Sequence, residues 1–86
     1  MKNTDLETYI NNLLKVSLFK DYAPNGMQVE GKSEIRRVVT GVTASQALID
    51  EAIRLGADAL LVHHGYFWPG EPYALKGIKG NRIRSL

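Results

Sequence analysis

Cysteine is absent from the chain. That absence removes disulfide staples, thiolate zinc sites, iron–sulfur clusters and cysteine nucleophiles, and it gives no support to secretion. Long apolar runs are missing too. The stretch 57–62 is short and broken by Asp58, far from the roughly 20 residues a membrane helix needs. The amino terminus, Met1-Lys2-Asn3-Thr4-Asp5, has no apolar segment behind its lysine, so it does not read as a signal peptide. The expected location is cytoplasmic, with no membrane partner. There is no internal repeat and no low-complexity segment, and the net charge of +2 is too small to imply nucleic acid by itself.

What remains is a chain of 86 residues, enough for one small domain and too few for two. Apolar residues at 44% and charged residues at 23% place it among globular rather than disordered chains. Thr4-Asp5-Leu6-Glu7 has the form of a capping box, with Thr4 as N-cap and Glu7 reaching back. Behind it Leu6, Tyr9, Ile10, Leu13 and Leu14 recur at helical spacing, so the pattern predicts an amphipathic helix ending near 16–18. Asp21-Tyr22-Ala23-Pro24-Asn25-Gly26 is a turn by composition. Asp21 and Asn25 are polar groups on it, explained by turn chemistry. Residues 27–30 fit a short strand.

From Arg37 the residues become β-branched and apolar, as in a strand covered on both faces. Thr43-Ala44-Ser45-Gln46 resembles a second capping box and opens a helix whose apolar face is Leu48, Ile49, Ala52, Ile53 and Leu55. Asp50 and Arg54 are spaced for an i,i+4 ion pair, and Gly56 stops the helix. Ala59-Leu60-Leu61-Val62 is a second buried strand, running into His63-His64-Gly65. Strand, helix and strand with short joints make a βαβ unit with parallel strands and a right-handed crossover. Residues 66–80 read as a loop, and Gly80-Asn81 caps a last helix starting at Arg82.

The expected fold is therefore α/β: an N-terminal helix plus a βαβ unit with parallel strands. Two parallel strands leave their outer edges unpaired, and parallel sheets need both faces covered. Residues 1–86 are thus expected to be a single partial domain, part of a larger α/β domain.

Ligands of open α/β sheets bind outside the carboxyl ends of the strands, and His63 and His64 stand there. Neutral imidazole is the commonest protein metal ligand. Adjacent strand residues point to opposite faces, so the pair serves one metal badly unless the backbone bends at the strand end, and two neighbouring metals well. The competing reading is one satisfied core histidine beside a surface one. Two further candidates carry less. Gly41-Val42-Thr43-Ala44-Ser45 lies between a strand and a helix N-terminus, a natural anion site, but it lacks the P-loop pattern, and capping explains it better. Tyr66, Phe67 and Trp68 are either a substrate wall or loop anchors. Lys76, Lys79, Arg82 and Arg84 crowd the C-terminal segment. Without interleaved aromatics they read as a solvated helix face rather than a nucleic-acid surface.

Three runs come in the order and spacing of one known family: Asp21-Tyr22-Ala23-Pro24-Asn25-Gly26-Met27-Gln28-Val29-Glu30-Gly31, Thr40-Gly41-Val42-Thr43-Ala44-Ser45, and Val62-His63-His64-Gly65-Tyr66-Phe67-Trp68. Over essentially its whole length the chain resembles the NIF-three-like proteins, the GTP cyclohydrolase 1 type 2 homologues, and bacterial members most in character. The resemblance implies an α/β protein with a two-metal centre, assembled as a toroidal homohexamer. It implies two divalent metal ions per subunit, with zinc, iron, manganese and magnesium as candidates. It maps the family's paired histidines onto His63 and His64, one on each ion. The family's other ligands, a bridging-capable aspartate and a late histidine and glutamate, have no counterpart in these residues. Many members carry proline where this chain has Gly65. The chain accordingly resembles the N-terminal third or so of such a protein.

Two functional readings follow. One is a dinuclear-metal hydrolase acting, in full-length form, on a small-molecule substrate, with GTP suggested by the family name. The other is a non-catalytic metal-binding hexameric ring working through protein or nucleic-acid partners, supported by the basic tail; an inactive truncated fragment is the third outcome. Two imidazoles without a carboxylate leave the repulsion between two cations uncompensated, so the 86 residues alone are expected to bind metal weakly or not at all.

Overall fold

Valine and threonine, stiff at χ1 and suited to a pleated surface, dominate the run that forms β1 (Val38–Thr43). The run Ala59–His64 forms β2 parallel to it, with Val39 opposite Leu60, Gly41 opposite Val62 and Thr43 opposite His64. The computed structural model describes residues 1–19, 25–65, 67 and 74–86. Within them lie α1 (Asn3–Leu14), a 3-10 turn (Val16–Leu18), β1, α2 (Gln46–Arg54), β2 and α3 (Gly77–Ser85). The fold is α/β: an N-terminal helix, a βαβ unit with parallel strands, and a C-terminal helix packed on α2.

The helix α2 forms where it should because both ends are closed. Ser45 is its N-cap, and the Ser45 hydroxyl accepts from the Leu48 amide at 3.1 Å. At the other end Gly56 takes φ +71°. Its amide reaches the Ile53 carbonyl and that of Ala57 the Ala52 carbonyl, each at 3.0 Å, the two bonds of a Schellman motif. Ile49 and Ala52 are buried beneath it. Ala44 and Ile49 make the centre of the core, with Leu60, Val62, Phe67 and Ile83 packed around them. Gly41 allows the close approach, since a Cβ there would collide with a Leu48 methyl.

The chain start is tied down separately. Lys2 bridges Glu34 in antiparallel fashion, the Ile35 amide donates to the Met1 carbonyl at 2.7 Å, and the Asn3 amide donates to the Ser33 carbonyl at 2.8 Å.

Several local expectations are corrected by this packing. The N-cap of α1 is Lys2, with no side-chain cap; the bridge to Glu34 sets the helix start, and the Glu7 carboxylate is taken by the Met27 amide at 2.5 Å instead of closing a box. The helix ends at Leu14, where Lys15 adopts a left-handed φ of +52° and the chain tightens into the 3-10 turn. Residues 27–30 are not a strand, because Met27 is held by a side chain and not by a ladder. The cap of α2 is Ser45, two residues beyond Thr43, whose place is in β1 paired with His64. Arg54 pairs with Glu51, one residue closer in sequence than Asp50, through Nε at 2.9 Å, while Asp50 accepts from Gln46 at 2.9 Å. Glu51 is held below the usual carboxylate range by that arginine. The last helix begins at Gly77, and Gly80 is buried inside it rather than capping it. Its neighbour decides this, since a Cβ at Gly80 would stand 2.7 Å from the Leu75 carbonyl oxygen.

Among the described residues one face of the sheet stays open, as expected of two parallel strands with so few helices. Val38 and Leu61 are each 40% exposed and Val42 is 67% exposed. On α1, Leu6 and Ile10 are half-buried, while Tyr9, Leu13 and Leu14 lie open.

Candidate metal centre

β2 carries both histidines to its carboxyl end. The backbone there is fixed: Thr43 and His64 are partners in the ladder, and the His64 carbonyl accepts from the Ala44 amide at 2.9 Å. Strand alternation led to the expectation of rings on opposite faces. The structure corrects it: the ring centroids of His63 and His64 are 4.4 Å apart, edge to face at 66°. The two side chains turn toward each other at the end of the strand, and both are exposed.

Both histidines line a groove of about 550 Å³. Also lining it are Glu7 and Asn11 of α1, Asn25 and Gln28 as polar groups, and Leu6, Ile10, Leu60 and Val62 among the apolar ones. Chemically the pair offers two imidazole donors, a set that suits zinc or iron better than magnesium. Among the described residues no three side chains of His, Asp or Glu come together to hold an ion. The residues present therefore fit a metal as part of a shell.

The other candidates resolve differently. The 41–45 segment brings the Ser45 amide onto the Thr43 carbonyl at 2.7 Å and the Leu48 amide onto the Ser45 hydroxyl, so the helix start is capped from within. Phe67 packs against the core, with the Lys79 ammonium 4.8 Å above its ring, and so acts as an anchor. Tyr66 and Trp68 lie outside the described residues, as do Asp21, Tyr22, Ala23 and Pro24. Asn25 is exposed at the groove. The basic residues of α3 spread apart: Lys76 is its N-cap, Arg84 bonds Asn81, and Arg82 is half-buried with its Nε shielded from solvent.

One polar residue was read in the sequence only as a break in an apolar run. Asp58, at the amino end of β2, accepts from Lys32 at 3.0 Å and from the backbone amides of Arg36 and Arg37 at 2.9 and 3.0 Å. The Lys32 ammonium first, and those amides next, hold its carboxyl down to about 2. The legible signal was an acid interrupting an otherwise apolar strand start.

A family model, Duf34/NIF3 (NGG1p interacting factor 3), matches residues 1–86. The chain belongs to the Duf34/NIF3 family. Two curated relatives, both described as GTP cyclohydrolase 1 type 2 homolog, align along all of it: one from Escherichia coli K12 at 62% identity and one from Vibrio cholerae at 64%. This Duf34/NIF3 chain spans about a third of their length, 35% and 34% respectively. Among solved structures, the protein ybgI, of unknown function, superposes with TM-score 0.96 at 61% identity, over 99% of this chain and 34% of that one. A structure from Thermus thermophilus gives 0.92 at 36% identity, over 99% and 35%. Among the described residues of the Duf34/NIF3 chain, no helix is long and apolar enough to cross a membrane.

Proposed function

We propose that this chain supplies His63 and His64 as the imidazole ligands of a dinuclear divalent-metal centre, and that the complete protein is a metal-dependent hydrolase. The observation that carries the reading is the meeting of two imidazoles, 4.4 Å apart, at the carboxyl end of a parallel strand and on the wall of a groove. The name of the relatives, GTP cyclohydrolase 1 type 2 homolog, supports a hydrolytic reaction on a small molecule. A pair of divalent ions would supply Lewis acidity, polarising a substrate oxygen and activating water near neutral pH.

The chain's own contribution is orientation. Ladder pairing and the Ala44 amide hold the His64 backbone, so the strand end that carries the imidazoles is fixed. The carboxylates that offset two cations must come from outside these described residues. A protein of the relatives' length is the one to test. Elemental analysis of the wild type against the His63→Ala/His64→Ala double variant should show metal lost with the histidines. Turnover of GTP or of a panel of phosphate esters by the loaded wild type should disappear with it. A protein that holds its metal and leaves every one of those substrates untouched would sink the hydrolase reading.

A further inference from the structure

One polar side chain that lines the same groove as the histidines sits on a segment anchored to α1. Gln28 Nε2 donates to the Gly26 carbonyl at 3.0 Å. The adjacent Met27 amide donates to Glu7 at 2.5 Å, tying the segment to α1. Gly26 turns the chain at φ +92°, and a Cβ there would stand 2.9 Å from the same Glu7 oxygen. Only glycine permits both that φ and that approach. The consequence is an anchored backbone beneath Gln28, whose side chain is further restricted by its bond to Gly26. Gln28 Cγ lies 3.9 Å from where a Cβ on Gly65 would be, so the glutamine covers the residue that directly follows His64.

We infer that Gln28 belongs to the histidine site as a groove-wall contact, hydrogen-bonding a small polar molecule that lies in the groove beside His63 and His64. The inference rests on the metal reading of that pair. Its chemistry is that of a neutral carboxamide. With one N–H given to Gly26, the group keeps its oxygen as acceptor and a second N–H as donor, and among the described residues neither has another partner. It can therefore meet an O–H or N–H of a ligand without adding a charge beside the cations. Glu7 acts one step behind as a positioning residue, through Met27.

The sequence contains its own control. Its two glutamines are Gln28 and Gln46, and Gln46 sits on α2, bonded to Asp50 and Ser85. In nitrogen-labelled protein of the relatives' length, substoichiometric Mn2+ should broaden the side-chain amide signals of Gln28 more strongly than those of Gln46. The His63→Ala/His64→Ala variant should abolish that broadening. Histidine ring signals that broaden while Gln28 stays as sharp as Gln46 would overturn the inference and leave the metal reading standing. Absence of broadening at the histidines as well would bring both down. As a second arm, Gln28→Glu places a carboxylate at the site and should tighten Mn2+ binding by about tenfold, whereas Gln28→Leu should not; equal affinities in the two variants would count against the assignment.

Discussion

The two faces of the β1–β2 sheet share a backbone and differ in everything packed upon it. On the α2 side lie Ile49, 1% exposed, together with Ala44 and Ala52, ringed by Leu60 and Val62 from β2. On the other side Val42 and Leu61 are open, and the nearest helix, α1, faces the sheet across a groove. The residues on the two sides are equally apolar. Hydrophobicity therefore decided which positions need cover, and the short α2 crossover decided which received it within these 86 residues.

The strongest way to break this asymmetry is Ile49→Ala. It removes the most completely buried side chain and should cost about 2–5 kcal/mol, a large part of the stability of a domain this small; chemical denaturation measures it. Gly41→Ala acts on the same side by pushing a methyl into Leu48, and a loss of about 1–3 kcal/mol is expected. A loss as large as that of Ile49→Ala would mean that Leu48 has no room to turn.

The third test concerns pH and the amino end of β2. Asp58 has a folded-state pKa of about 2, below its ordinary value of 3.8. The ionised form is thus favoured by folding. Its contribution is fully present above roughly pH 4 and is lost as the pH falls through about 2. The melting temperature of the wild type should drop across that window more steeply than that of Asp58→Asn. Parallel curves would show that Lys32 and the two amides do not favour the charged form.

The smallest effects belong to the open side. Val42→Thr should change stability by no more than about 0.5 kcal/mol, and a larger loss would show that this face is covered in solution. His63→Ala should be similarly neutral for stability, yet in a protein of the relatives' length it should weaken Mn2+ or Zn2+ binding in isothermal titration. A variant that melts early and binds metal unchanged would reassign His63 to the fold.

Much of the architecture was legible because it rests on local patterns. The β-branched run at β1, the Gly56 stop and the short joints around α2 each specify one outcome, and parallel pairing follows from them. The small details escaped for a common reason. Thr4, Thr43 and Asp50 were all plausible partners by spacing, but spacing cannot rank a local bond against a distant one. Glu7 was claimed by Met27, twenty residues away, and Thr43 by the ladder. Gly80 looked like a cap because its contact with Leu75 lies in three dimensions.

The candidate site divides in the same way. His63 and His64 could be read as metal ligands from residue type and from their place at a strand's end. That their rings meet, rather than pointing to opposite faces, required the strand to be seen ending. Residue type and spacing did not bring Gln28 and Glu7 to the groove, since the two meet there only where the 26–28 segment folds back on α1.

By itself, then, the sequence determined the secondary elements, their order and the two histidines, because periodicity and capping act within a few residues. The tertiary structure alone decided which sheet face is closed, which carboxylates are occupied by backbone amides, and which polar groups line the groove with the histidines. Those outcomes depend on competition between partners far apart in the chain, and only the packed molecule ranks them.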